Sequence, residues 1–180
     1  SDVLTHEASV SSLSLSPDGE RLITGCDNGS VRRWNVDDGT PVWSWSAGPN
    51  ANINAVAISP DGTRVVAVDP VRNRVHLLDA EQGSEIRHAD TDGEAQVFLN
   101  LAERDALGWS AAFTPDGTRV ATVGGDEARI WDLQRTEYQS FGPHQTVADA
   151  SFSPDGTRLV TAAWDRSARI WDVSTGQGLL

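Results

Sequence analysis

Three residues in the last quarter of the chain, His144, Thr161 and Asp165, have the side-chain types of a hydrolytic triad. In such a set a hydroxyl attacks, an imidazole takes its proton and a carboxylate orients the imidazole. The rest of the reactive inventory is thin. His76 and His88 read as isolated residues and match no metal-ligand spacing. Asp90-Thr-Asp92-Gly93-Glu94 hints at a calcium loop. Its first ligand position would fall on His88, however, and Leu99 stands where a Glu is needed, so it reads as a polar turn. The sequence has no Gly-rich phosphate loop, Gly-x-Ser-x-Gly elbow or Cys-x-x-Cys pair. The single cysteine, Cys26, cannot form an internal disulfide. No metal and no cofactor are expected.

The elements that carry these residues come from a repeat. Ser-Pro-Asp-Gly occurs at Ser16–Gly19, Ser59–Gly62 and Ser153–Gly156, and Thr114–Gly117 is a fourth copy. The prolines, Pro17, Pro60, Pro115 and Pro154, are 43, 55 and 39 residues apart. A second marker keeps step: Trp34, Leu78, Trp131 and Trp171 follow their prolines by 17, 18, 16 and 17 residues. Asn35, Asp79, Asp132 and Asp172 come next.

Before each Pro-Asp-Gly lies a stretch with period-2 alternation, such as Val10–Leu15 or Val147–Phe152, which suits a half-buried strand. Pro-Asp-Gly is turn chemistry, because Pro presets φ, Asp bonds the backbone and Gly accepts positive φ. A second strand, a polar turn, a third strand ending on the Trp, another turn and a fourth strand follow. Four short antiparallel strands in about 40–45 residues make one blade of a β-propeller. The fold class is therefore all-β, in four repeats of about 6–45, 49–88, 105–141 and 144–180. The long step places an insertion at about 89–107, in which Gln96–Leu101 is apolar and Ala102–Leu107 suits a short helix.

The chain resembles the WD-repeat family. Trp131-Asp132 and Trp171-Asp172 carry its dipeptide, and Trp34-Asn35 and Leu78-Asp79 are degenerate copies. The repeat around Ser59–Glu85 departs furthest. It also resembles propeller repeats of bacterial extracytoplasmic proteins, which share the Ser-Pro-Asp-Gly turn. The resemblance implies a stabilising network of His, Ser/Thr, Asp and Trp within a blade. In the fourth repeat it falls on His144, Thr161, Asp165 and Trp171, and in the first on His6, Thr24, Asn28 and Trp34. The third keeps Thr122, Asp126 and Trp131. The second has lost the set, with Pro49 or Asn50, Val68 and Leu78 in those places. On this reading the triad types are structural, and no enzyme is expected in these residues. Arg32, Arg129 and Arg169, two before each Trp, are regular strand positions suited to ion pairing.

Composition limits the partners. The net charge of −12 repels a phosphate backbone or an anionic membrane surface, so neither nucleic acid nor membrane is expected. No apolar run approaches the ~20 residues of a membrane span, and no signal peptide is visible. A cytoplasmic location is expected. All 14 basic residues are Arg, which suggests a GC-rich, bacterial genome, and the absence of Met suggests a piece of a larger signalling protein.

Seven Trp stand against four Phe and one Tyr. Trp43 and Trp45, two apart on an outer strand, share one face and are expected to pack against the neighbouring strand or the next blade. Trp164 precedes the turn at Asp165, and Trp109 lies near the start of a first strand. Both suit anchors for a partner. The candidate binding set is Trp164, Trp109, Asn52, Asn54, Asp27 and Arg72, on the face the resemblance names as the top. The expected function is a non-catalytic scaffold or sensor module that binds a protein or peptide. The alternative is a ligand-sensing or envelope-associated propeller. Self-association, with a second copy completing a ring, is expected of this chain on its own.

Overall fold

The Pro-Asp-Gly turns fold in one repeated pattern. Gly19, Gly62, Gly117 and Gly156 adopt φ between 68° and 77°, which costs glycine little because it has no Cβ. Each donates its N–H to the carbonyl three residues back, at 2.8–2.9 Å. The residue that opens the turn donates its hydroxyl to the turn Asp, as in Ser59 to Asp61 at 2.5 Å and Thr114 to Asp116 at 2.5 Å. The same oxygens accept the Arg64 and Arg119 N–H groups at 2.9 and 3.0 Å. One side chain thus closes the turn and registers the next strand.

The computed structural model describes residues 4–90, 110–124, 126–135, 137–142 and 146–180. The chain divides into two compact units, Ser1–Asp92 and Gly93–Leu180. In the first unit, β1 (Val10–Leu15), β2 (Arg21–Cys26), β3 (Ser30–Asn35) and β4 (Pro41–Ser46) pair antiparallel in chain order. β5 (Ala55–Ile58), β6 (Arg64–Asp69), β7 (Arg74–Asp79) and β8 (Glu85–Asp90) repeat this arrangement. In the second unit, β9 (Ser110–Phe113), β10 (Arg119–Gly124), β11 (Glu127–Asp132) and β12 (Tyr138–Phe141) form the third sheet.

The last sheet has three strands, β13 (Val147–Phe152), β14 (Arg158–Ala163) and β15 (Ala168–Asp172). Where the repeat leads one to expect a fourth strand, a single bridge joins Gly178 to Trp171. Leu179 N–H adds a bond to the Ile170 carbonyl at 2.7 Å. The described residues contain no helix. Trp109, His144 and most of the 89–107 insertion, including its expected helix, lie outside the described residues.

Both units stack their sheets by one rule. In the first, the face of the first sheet bearing Ile23, Val31, Trp43 and Trp45 packs on the face of the second bearing Val65, Ala67 and Leu78. In the second, the Ala121, Val123, Ile130 and Phe141 face packs on Leu159 and Trp171. Ile23 and Ala121 stand six residues after Pro17 and Pro115, while Val65 and Leu159 stand five after Pro60 and Pro154. Strand alternation turns that one-residue difference into opposite faces. Ile23, Val65 and Leu159 are fully buried, each contributing roughly 1.5–3 kcal/mol. The first pair of sheets is also stitched by polar contacts, because Val56 and Ile58 donate their N–H groups to Ser12 and Ser14 Oγ at 3.0 and 3.1 Å. At Gly25 the approach is so close that a Cβ would lie 2.6 Å from Ile53 Cγ2.

Candidate functional site

The Thr–Trp pairs implied by the resemblance are present in three sheets. The indole N–H groups of Trp34, Trp131 and Trp171 donate to Thr24, Thr122 and Thr161 Oγ1 at 3.0, 2.8 and 2.9 Å. In the first repeat His6 Nε2 joins Thr24 Oγ1 at 2.8 Å, and the His6 ring lies 4.9 Å from Trp34. Asn28 departs from its expected role. Its Oδ1 accepts Ser30 N–H at 3.1 Å and the Ser30 hydroxyl at 2.7 Å, a local turn bond of the kind Asn readily makes. Asp165 accepts Ser167 N–H at 2.9 Å and pairs with Arg169 at 3.2 Å. Its partner His144 lies outside the described residues. Asp126 accepts Thr146 N–H at 3.0 Å.

In the second repeat the strand register corrects the alignment. Thr24, Thr122 and Thr161 face Arg32, Arg129 and Arg169. The residue facing His76, two before Leu78, is Ala67 rather than Val68. The extra residue between Pro60 and Leu78 therefore sits in the β6–β7 turn.

In the first unit, the candidate binding residues gather where the β2–β3 turn, the β4–β5 connection and the β6–β7 turn meet. Asp27 is exposed, and its N–H bonds the Ser9 carbonyl at 3.1 Å. Asn54 is half-buried and its N–H bonds the Val68 carbonyl at 3.1 Å. Asn52 donates its N–H to Asp69 Oδ1 at 3.4 Å, and its side-chain oxygen is buried without a partner. Arg72 is committed internally. Its guanidinium bonds the Ala47 carbonyl at 2.8 Å, the Pro49 carbonyl and the buried Asp69 at 3.3 Å. It clamps the β4–β5 connection, so Asp27 and Asn54 are the outward members of this group.

In the second unit, Trp164 is 61% exposed. It opens the β14–β15 turn, its N–H bonded to the Thr146 carbonyl at 3.0 Å. Two residues on, Arg166 holds φ at 67°, a conformation that costs a non-glycine residue energy and clusters at functional turns. A large aromatic group thus stands on a turn fixed by Ser167 and Arg169.

His76 and His88, isolated in sequence, are cross-strand partners on β7 and β8. Glu85 joins them. His76 Nδ1 and His88 Nδ1 lie 2.8 and 3.1 Å from Glu85 Oε1. A bulge explains the meeting. Leu77 faces Arg87, but Leu78 faces Glu85, leaving Ile86 as the extra residue. Without it, Glu85 would point to the opposite face from His88. Burial raises the Glu85 pKa, but the hydrogen bonds and charge of the two histidines outweigh it and hold the carboxyl below its usual 4.5. Burial pushes His76 below its usual 6.5, against the opposing pull of Glu85.

At the other end of the first two sheets lies an open polar groove of about 390 Å³, lined by Asp18, Arg21, Arg33 and Glu81. Arg21 and Arg33 are paired with Asp18 and Glu81, both at 2.7 Å. No helix among the described residues is long and apolar enough to cross a membrane.

Comparison with known proteins agrees with this architecture. Residues 2–35 and 135–172 match the WD40 family, described as WD domain, G-beta repeat. The chain is 28% identical over 138 residues to ribosome biogenesis protein ERB1 of Chaetomium globosum, covering 76% of this chain and 16% of that protein. It is 29% identical over 172 residues to eukaryotic translation initiation factor 3 subunit I of Aspergillus terreus, covering 92% of this chain and 50% of that protein. It is 23% identical over 122 residues to the human U3 small nucleolar RNA-associated protein 4 homolog, covering 67% of this chain and 17% of that protein. The chain thus spans half the length of one of these relatives and about one sixth of the other two. The matched segments contain the Thr–Trp pairs of the first and last sheets, and the same turn and strand order recurs between them: the chain resembles the WD40 family in these two segments and is built of β-propeller blades.

Proposed function

We propose that the chain is a non-catalytic scaffold that binds a protein or peptide through the turn around Trp164. The exposed Trp164 carries this reading. An indole on a fixed turn supplies large contact area at small entropic cost, as binding hot spots do. The relatives named for ribosome biogenesis and translation initiation support a role in assembly. A bacterial source belongs to the same proposal and rests on the Arg-only basic complement alone, since the relatives named above are fungal and human. Selection of binders from a random peptide library on the immobilised chain tests the site. Trp164→Ala should abolish binding of the selected peptides while leaving the melting temperature nearly unchanged. Peptides that bind the variant as well as the parent would move the site elsewhere.

A second contact follows from the stacking rule. Within each unit the face bearing the Pro+6 residue packs on the next sheet's Pro+5 face. The first sheet's Pro+5 face bears Leu22 and Trp34, with Leu13 and Leu15 exposed beside them. The last sheet's Pro+6 face bears Val160 and is also exposed. These two surfaces are of complementary type, and a second copy of the chain satisfies both.

A further inference from the structure

We propose that His76, Glu85 and His88 form a binding site for a divalent transition-metal ion of the zinc class. Two imidazoles and one carboxylate are a donor set that zinc takes with a fourth, open position. The spacing fits. With bonds of about 2.0–2.1 Å, tetrahedral ligand atoms stand roughly 3.3 Å apart. Glu85 Oε1 lies 2.8 and 3.1 Å from the two Nδ1 atoms, and one ligand atom from each residue lies within 4.8 Å of the others. Small side-chain adjustments would admit an ion.

The site combines a fixed ligand with accessible ones. His76 is 3% exposed and held edge-on against Trp45, with ring centroids 4.8 Å apart. The side chains of Glu85 and His88 are 31% and 42% exposed, which gives an ion a path from solvent. The net charge of −12 favours cation approach.

The blade itself does not require these residue types. The first sheet has a bulge at the matching place, between Arg33 and Trp34. The residues at the positions of His76, His88 and Glu85 there are Arg32, Ser44 and Pro41. Arg129 and Arg169 occupy the His76 position in the other two sheets. Among the described residues, only the second sheet brings ligating groups together at this register.

Binding needs the lone pair of each Nδ1, so the ring protons must reside on Nε2. His76 Nε2 is already buried without a partner. It changes from an orphan acceptor to an orphan donor, and metal binding adds no new unsatisfied group. An ion here would tie β8 to β7.

A tag-free, chelator-treated chain titrated with Zn²⁺ by calorimetry tests the proposal, with Co²⁺ absorption reporting geometry. One Zn²⁺ should bind per chain and displace Co²⁺ from a tetrahedral environment. Zn²⁺ should raise the melting temperature where Mg²⁺ does not. Losing a ligand should exceed the ~10–100-fold cost of losing a ligand's hydrogen-bond partner, so His88→Ala and Glu85→Gln should each weaken binding by more than about 100-fold. Glu85→Gln keeps shape and polarity, which separates lost ligation from lost folding, and His144→Gln should leave binding intact. Zn²⁺ affinity unchanged in His88→Ala and Glu85→Gln, or no Zn²⁺ binding by the parent, would overturn the site.

Discussion

Trp34 donates its indole N–H to the Thr24 hydroxyl at 3.0 Å, and both side chains are buried. Thr24 Oγ1 also meets His6 Nε2 at 2.8 Å. Thr24→Val keeps the shape and removes the oxygen. It leaves the Trp34 N–H and the His6 nitrogen without this partner, at about 1–3 kcal/mol for each group that stays buried. Ala67→Thr, at the matching position of the second sheet, should bring no such gain, because Leu78 has no N–H to offer. Urea unfolding of both variants measures the difference. Equal and negligible changes would mean that the Thr–Trp bond contributes nothing net.

The turn aspartates give the fold an acid limit. The Ser16 hydroxyl, then the Glu20 N–H and Arg21, hold Asp18 at about 2, against an ordinary 3.8. The Ser59 and Ser153 hydroxyls hold Asp61 and Asp155 at about 2 in the same way, and the Ser174 hydroxyl does so for Asp172. A carboxyl whose folded pKa lies below its unfolded value stabilises the fold fully above the unfolded value. That contribution is lost as pH falls through the folded value. The melting temperature should therefore hold above about pH 4 and drop between about pH 4 and 2. Asp61→Asn should lower stability at pH 7 and flatten this drop. A variant with the parent's acid slope would show that the turn carboxylates do not set the limit.

The strands and turns were legible because each needs only local chemistry. Pro presets φ, Gly takes positive φ and the Trp closes the third strand, so two markers in step located every sheet. Trp43 and Trp45 were legible as sharing one face that packs on a neighbouring strand or blade, because strand alternation is local too. Trp43 bonds the Ala80 carbonyl at 3.0 Å, and Trp45 covers His76. The His76–Glu85–His88 meeting was not legible, because it depends on a bulge. Glu85 and His88 are three apart, which in a regular strand means opposite faces, and only the extra Ile86 brings them to one face. Ala67 was missed for a related reason, since marker spacing does not say on which side of a residue an insertion falls.

The last expectation concerns association. The exposed Leu13 and Leu15 lie on the first sheet's Pro+5 face, and Val160 lies on the last sheet's Pro+6 face. In both units a face of one type is covered by a face of the other. Contiguous apolar surface of this kind drives association in water. Light scattering on the chain should therefore give a mass that rises with concentration toward a dimer. Leu13→Glu should return it to a monomer, and so should Val160→Glu, because each places a charge in the same heterologous contact. Mixing the two variants should leave one uncharged pairing intact, Leu13→Glu contributing its last sheet and Val160→Glu its first. A mixed dimer of the two variants would then form, joined by one contact rather than two. A parent that stays monomeric at high concentration would exclude the contact.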